Sequence, residues 1–144
     1  MNRSMTDRVT TFRHINGTVA TTQTPSTGVD LQDVASAEVL VDIGTVTNIA
    51  NSPQPSWTFA LQHSDTSNAS FAAVDSTDVV LPDGAALGAS GVFATVDAAA
   101  EDDAQYRVGY VGVKRYIRVV ATAANTPGNT PITVVVVGEK KLTT

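Results

Sequence analysis

The stretch Tyr110–Gly138, YVGVKRYIRVVATAANTPGNTPITVVVVG, decides how the rest of the chain is read. Two runs of strand-forming residues flank the loop Thr126–Pro131, whose Pro, Gly and Asn residues punctuate the chain. In the first run Ile117, Val119 and Ala121 alternate with Tyr116, Arg118 and Val120, the period of a strand with one buried face. The second, Ile132–Val137, is almost continuously apolar and is expected to be a strand buried on both faces.

The same grammar recurs upstream. Val39, Val41 and Ile43 alternate with Glu38, Leu40 and Asp42, and Gly44 closes the run. After the proline-rich loop at 51–56, Trp57, Phe59, Leu61 and His63 share one face, with the single tryptophan as a packing anchor. The run 64–68, SDTSN, reads as a turn, so that Phe71–Asp75 returns antiparallel. Val79–Leu81, Gly91–Val96 and Gln105–Tyr110 supply further strands, the last two separated by the acidic bend Ala98–Asp103. Asp33–Glu38 has room for one helical turn.

These short strands, with no long amphipathic segment, predict an all-β protein: an antiparallel β-sandwich or a jelly-roll-like fold. Residues 1–27 are polar and Thr-rich, with Phe12, Ile15 and Val19 as scattered anchors. They are expected to form either an extended N-terminal arm, carrying a short strand at Thr18–Thr22, or a disordered terminus, ahead of a sandwich domain at 28–144.

Composition limits the chemistry. The 144 residues and 15.0 kDa suit one domain, and the absence of cysteine removes disulfides, thiolate nucleophiles and thiolate metal sites. No apolar run reaches the roughly 18 residues of a membrane span, and no membrane partner is expected. The net charge of −5 is unevenly placed: every Lys and Arg lies at or before Arg13 or at or after Arg107, leaving Asp30 to Asp103 acidic and unopposed. Such a surface repels phosphate backbones, so nucleic acid is not an expected partner.

Catalytic patterns are sparse. His14 and His63 are the only histidines, and Ser64-Asp65 beside His63 reads as turn capping, because adjacent strand residues face opposite ways. Asp97 with Glu101-Asp102-Asp103 offers carboxylates without the spacing of a calcium loop, and reads as a solvated bend. Gly109, Gly112 and Lys114 lack phosphate-loop spacing. Tyr106, Tyr110 and Tyr116 near Arg107, Arg115 and Arg118 read as ring-and-stem packing before they read as a stacking platform. No enzyme activity and no cofactor are expected.

Gly28-Val-Asp-Leu, the strand Glu38–Gly44, Phe59-Ala-Leu-Gln-His-Ser-Asp65, Phe71-Ala-Ala-Val-Asp75 followed by Asp78, and Gly109-Tyr-Val-Gly-Val-Lys-Arg-Tyr-Ile-Arg118 have a shared order and spacing. Together they resemble a group of small head-associated proteins of tailed phages and prophages, over about Gly28 to Gly138. The resemblance implies a capsid decoration or cement protein. Such a protein is made in the host cytoplasm, binds the major capsid protein on the outer virion surface, and is expected to associate with sister copies as a homo-oligomer.

The uneven charge supplies the expected docking residues: Arg3, Arg8 and Arg13 in the arm, Arg107, Lys114, Arg115 and Arg118 in the body, with Lys140 and Lys141 in the tail. Two other readings fit a sandwich. One is a carbohydrate-binding or host-adhesion module using Trp57, Tyr106 and Tyr110; the other is a tail or neck component of the virion.

Overall fold

The computed structural model describes residues 5–141. After a 3-10 turn at Met5–Asp7, ten strands follow in order, with a second 3-10 turn at Ala89–Gly91 leading into the seventh: β1 Val9–Val19, β2 Val29–Asp30, β3 Val34–Ile43, β4 Ser56–Ser64, β5 Ala72–Ala73, β6 Val79–Val80, β7 Val92–Val96, β8 Ala104–Tyr110, β9 Tyr116–Ala124 and β10 Thr130–Lys140. They form two antiparallel sheets. Sheet A has the order β1-β10-β3-β8-β6, and sheet B the order β2-β9-β4, with β5 and β7 both paired to the remaining edge of β4. The fold is the all-β sandwich that the strand periodicity predicts.

The alternating residues of the central strands face each other across the two sheets. Val39, Val41 and Ile43 of β3, Val108 of β8 and Ile132, Val134 and Val136 of β10 form one inner face. Trp57, Phe59 and Leu61 of β4 with Ile117, Val119 and Ala121 of β9 form the other. Each such aliphatic or aromatic side chain contributes about 1.5–3 kcal/mol on burial, which replaces the cross-links the sequence lacks. Trp57 is fully buried, and its Nε1–H donates to the buried Thr130 hydroxyl at 3.1 Å, tying the two sheets through their largest side chain.

Three sequence expectations change. Residues Val9–Val19 of the expected arm are an eleven-residue strand paired along β10, and the short strand expected at Thr18–Thr22 lies earlier in the chain. The valine-rich β10 needs neighbours on both edges, and Phe12 and Ile15 supply the inward contacts that hold β1 in place. Asp33–Glu38 holds no helical turn, because Val34 already pairs with Lys140 as β3 begins. Finally, β10 is buried on one face only. Thr133, Val135 and Val137 remain half-exposed, because no layer of the described residues covers the outer face of sheet A.

The connection into β7 shows why glycine is required at one turn. Gly91 has φ +78°, and a Cβ there would lie 2.5 Å from the Leu61 carbonyl oxygen. Only glycine accepts both the conformation and the approach.

Candidate docking surface

The chemistry-bearing side chains are engaged in holding loops and sheets together. His63, at the end of β4, places Nδ1 3.1 Å from the Tyr110 hydroxyl and 3.9 Å from a carboxylate oxygen of Asp78. The same hydroxyl accepts the Lys114 N–H at 3.1 Å, and burial holds the phenol above its usual pKa and therefore protonated. The group links β4 of one sheet to β8 of the other. Ser64 closes the following turn, accepting the Thr66 N–H at 3.0 Å and donating to the Ala69 carbonyl at 2.6 Å.

The acidic bend is likewise structural. Glu101 accepts the N–H groups of Asp97 and Ala98, Asp102 accepts that of Val46 at 3.0 Å, and Asp103 accepts the Thr45 hydroxyl. These carboxylates clamp the 45–46 segment against the bend. Among the described residues no cluster of three or more metal-ligating side chains forms.

His14 has a role that sequence periodicity conceals. The pairing of β1 with β10 shifts register between Arg13 and Ile15, so His14 is the extra residue of a β-bulge. The bulge aims its ring at sheet B, where Nε2 accepts the Val119 N–H at 3.0 Å. Burial lowers its pKa to about 4, with the nearby Arg118 charge acting in the same direction. His14 is therefore neutral at pH 7 and acts as a hydrogen-bond acceptor.

The expected docking cations are distributed over the molecule, and most are already paired. Arg8 bonds Glu139 at 2.9 Å, Arg107 approaches Glu38 at 3.8 Å, and Lys114 pairs with Asp65. Arg115 clamps Asp30 through two bonds of 2.9 and 2.7 Å, which depresses the carboxyl pKa and raises that of the guanidinium. Arg118 lies over the Phe71 ring at 4.1 Å and bonds Gln62 and the Pro25 carbonyl, each at 2.9 Å. Arg13 is exposed on β1 and makes no ion pair with the described residues, while Arg3 lies outside them. Among the described residues the structure thus does not bring the other six together as one basic patch.

The aromatic residues named for a sugar site are also committed elsewhere. Trp57 and Tyr110 are buried, and the half-buried Tyr106 donates its hydroxyl to the Glu101 carbonyl at 2.6 Å. Neither Trp57 nor Tyr110 offers a ring face to a ligand.

What the fold does expose is the outer face of sheet A. Cross-strand pairing lays down one row, Thr11, Val137, Glu38, Gly109 and Val80, across all five strands. A second row runs Arg13, Val135, Leu40 and Arg107. Gly109 floors a shallow depression of about 450 Å³ whose apolar walls include Val9, Val80, Val111 and Val137, with the Glu38–Arg107 pair beside it. A second hollow of about 520 Å³ continues from Arg107 and Pro82 past Leu40 to Phe93. Val80 on β6 and Val111 just beyond β8 are 60% and 57% exposed, so apolar surface is presented to solvent. The sequence signal for this face is the valine-for-polar substitution at alternate positions of β10.

Compared with known proteins, the chain matches no family, no curated protein and no solved structure.

Proposed function

We propose that the chain is a structural virion protein, a decoration or cement protein that binds the major capsid lattice of a tailed phage on its outer surface. The observation that carries this reading is the outer face of sheet A, a five-stranded surface with apolar hollows and paired charges, suited to burial against a folded neighbour. The resemblance to head-associated proteins supplies the setting. The engagement of both histidines and of the acidic bend in structural contacts agrees with a role that needs no reaction.

In this reading the docking element is the apolar face rather than the cationic strand, because Arg115, Lys114 and Arg107 already have carboxylate partners within the chain. Many modest contacts, repeated by lattice symmetry, add through multivalency. The protein would be made in the host cytoplasm and act on the virion. Sedimentation of the purified chain with undecorated capsids tests the proposal: it is expected to pellet with the shells in a saturable ratio. Protein left in the supernatant at excess shell would overturn it, and binding confined to tails would move the role to the neck or tail.

A further inference from the structure

The edges of the two sheets are treated differently. Along the outer edge of β9 the polar backbone groups find partners one after another. Ala123 N–H reaches the Thr22 hydroxyl, Ala121 exchanges both bonds with Gln23, and Val119 N–H reaches His14. Ile117 pairs with Val29, and the Arg115 carbonyl accepts Leu31 N–H. Three further edge strands, β2, β5 and β6, have two residues each, and β7 has five. Edge strand β1 has eleven residues, and among the described residues no strand pairs with its outer side.

The direction of its free groups follows from one bond. Lys140 N–H donates to the Arg8 carbonyl at 2.8 Å, so Arg8, Thr10 and Phe12 bond inward to β10, and Val9, Thr11 and Arg13 turn their N–H and C=O outward. The bulge at His14 ends this straight run, which fixes the length of any strand that adds to it.

We infer that the Val9–Arg13 edge pairs antiparallel with the same edge of a second copy of this chain, joining two A sheets into one ten-stranded sheet. A two-fold axis at Thr11 sets Thr11 opposite its own copy and Val9 opposite Arg13. The outward groups of the two Val9–Arg13 segments are then satisfied in about six backbone hydrogen bonds. The side chains agree with this register. Glu139, whose carboxylate also holds Arg8 and the Ser36 hydroxyl, lies beside Val9 across the β1–β10 ladder, so the exposed Arg13 of one copy is brought toward the Arg8–Glu139 pair of the other. A two-fold contact uses each β1 edge once, so the pairing closes at a dimer instead of growing into a fibre. The inference stands apart from the capsid reading, and the two fail in different experiments.

Sedimentation equilibrium of the full chain, up to about 1 mM, is the test. The expected result is a reversible dimer, and backbone amides of Val9, Thr11 and Arg13 whose hydrogen exchange slows as concentration rises. Thr11→Pro removes an outward N–H while leaving the β10 ladder intact, and is expected to weaken association by at least about tenfold. Arg13→Glu is expected to weaken it, and Arg13→Glu with Glu139→Arg to restore it. A chain that stays monomeric throughout, or a dimer that forms while those three amides exchange freely, would overturn the inference. The amide readout uses the unmodified protein, so it decides the matter even if Thr11→Pro does not fold.

Discussion

His14 Nε2 accepts the backbone N–H of Val119 at 3.0 Å, so one side chain from the edge of sheet A completes the hydrogen bonding of the edge of sheet B. The contact requires the neutral ring, and burial keeps it neutral down to about pH 4. The unfolded chain takes up the proton near pH 6.5. The stabilisation is therefore complete above about pH 6.5 and is lost as pH falls toward 4, with a ceiling of roughly 3–4 kcal/mol. Asp30 and Asp75, whose pKa values are lowered by hydrogen bonds from Arg115 and Thr77 respectively, lose their contributions only below about 3.8 and so act in a separate window. Denaturant melts from pH 7 to pH 4 are expected to show the decline, and His14→Gln, which keeps an acceptor, to flatten it. An unchanged slope in His14→Gln would refute this account.

The core prediction rests on burial. Trp57→Ala and Ile117→Ala each empty a fully buried site and are expected to cost about 3–5 and 2–5 kcal/mol respectively. Trp57→Phe keeps most of the packing but leaves the Thr130 hydroxyl without its indole donor, and about 1–2 kcal/mol is expected. Equilibrium urea unfolding measures all three, and a near-neutral Trp57→Ala would contradict the packing described.

How much of this was legible in the sequence depends on the range of the interaction. Period-two alternation placed Val39, Trp57, Phe59 and Ile117 correctly, because each strand's own residues determine which face is apolar. By its own residues Val9–Val19 reads as an arm, because its anchors are sparse. It becomes a strand because β10, more than a hundred residues away, presents an unpaired edge. The charged residues misled for the same reason. Arg115 and Asp30 lie 85 positions apart, and only the pairing of β2 with β9 brings them together. His14 was hidden by the bulge, since a register shift leaves no mark in hydrophobic periodicity.

That correction gives a paired prediction for the loop cations. Arg115→Ala removes the two bonds to Asp30, a half-exposed and solvent-screened pair, and is expected to leave the melting temperature nearly unchanged. Capsid binding is expected to be unaffected. Thermal melts and cosedimentation on the same variant check both halves, and a loss of binding with an unchanged melt would return the docking role to the cationic strand.

The outer face of sheet A yields the complementary result. Val137 and Leu40 are half-exposed, project away from the core and line the two hollows, so Val137→Lys or Leu40→Lys leaves the interior packing untouched. Placing an ammonium in an interface core strands a charge without a partner, and capsid affinity is expected to fall by at least about tenfold while the melting temperature moves by only a few degrees. Since Val137 is separated from Glu139 by one residue on the same face of β10, the cosedimentation assay should be run beside sedimentation equilibrium of the free chain. Loss of shell binding with self-association intact would assign the face to the capsid and the β1 edge to the sister copy. Simultaneous loss of both would mean that the two contacts share one surface.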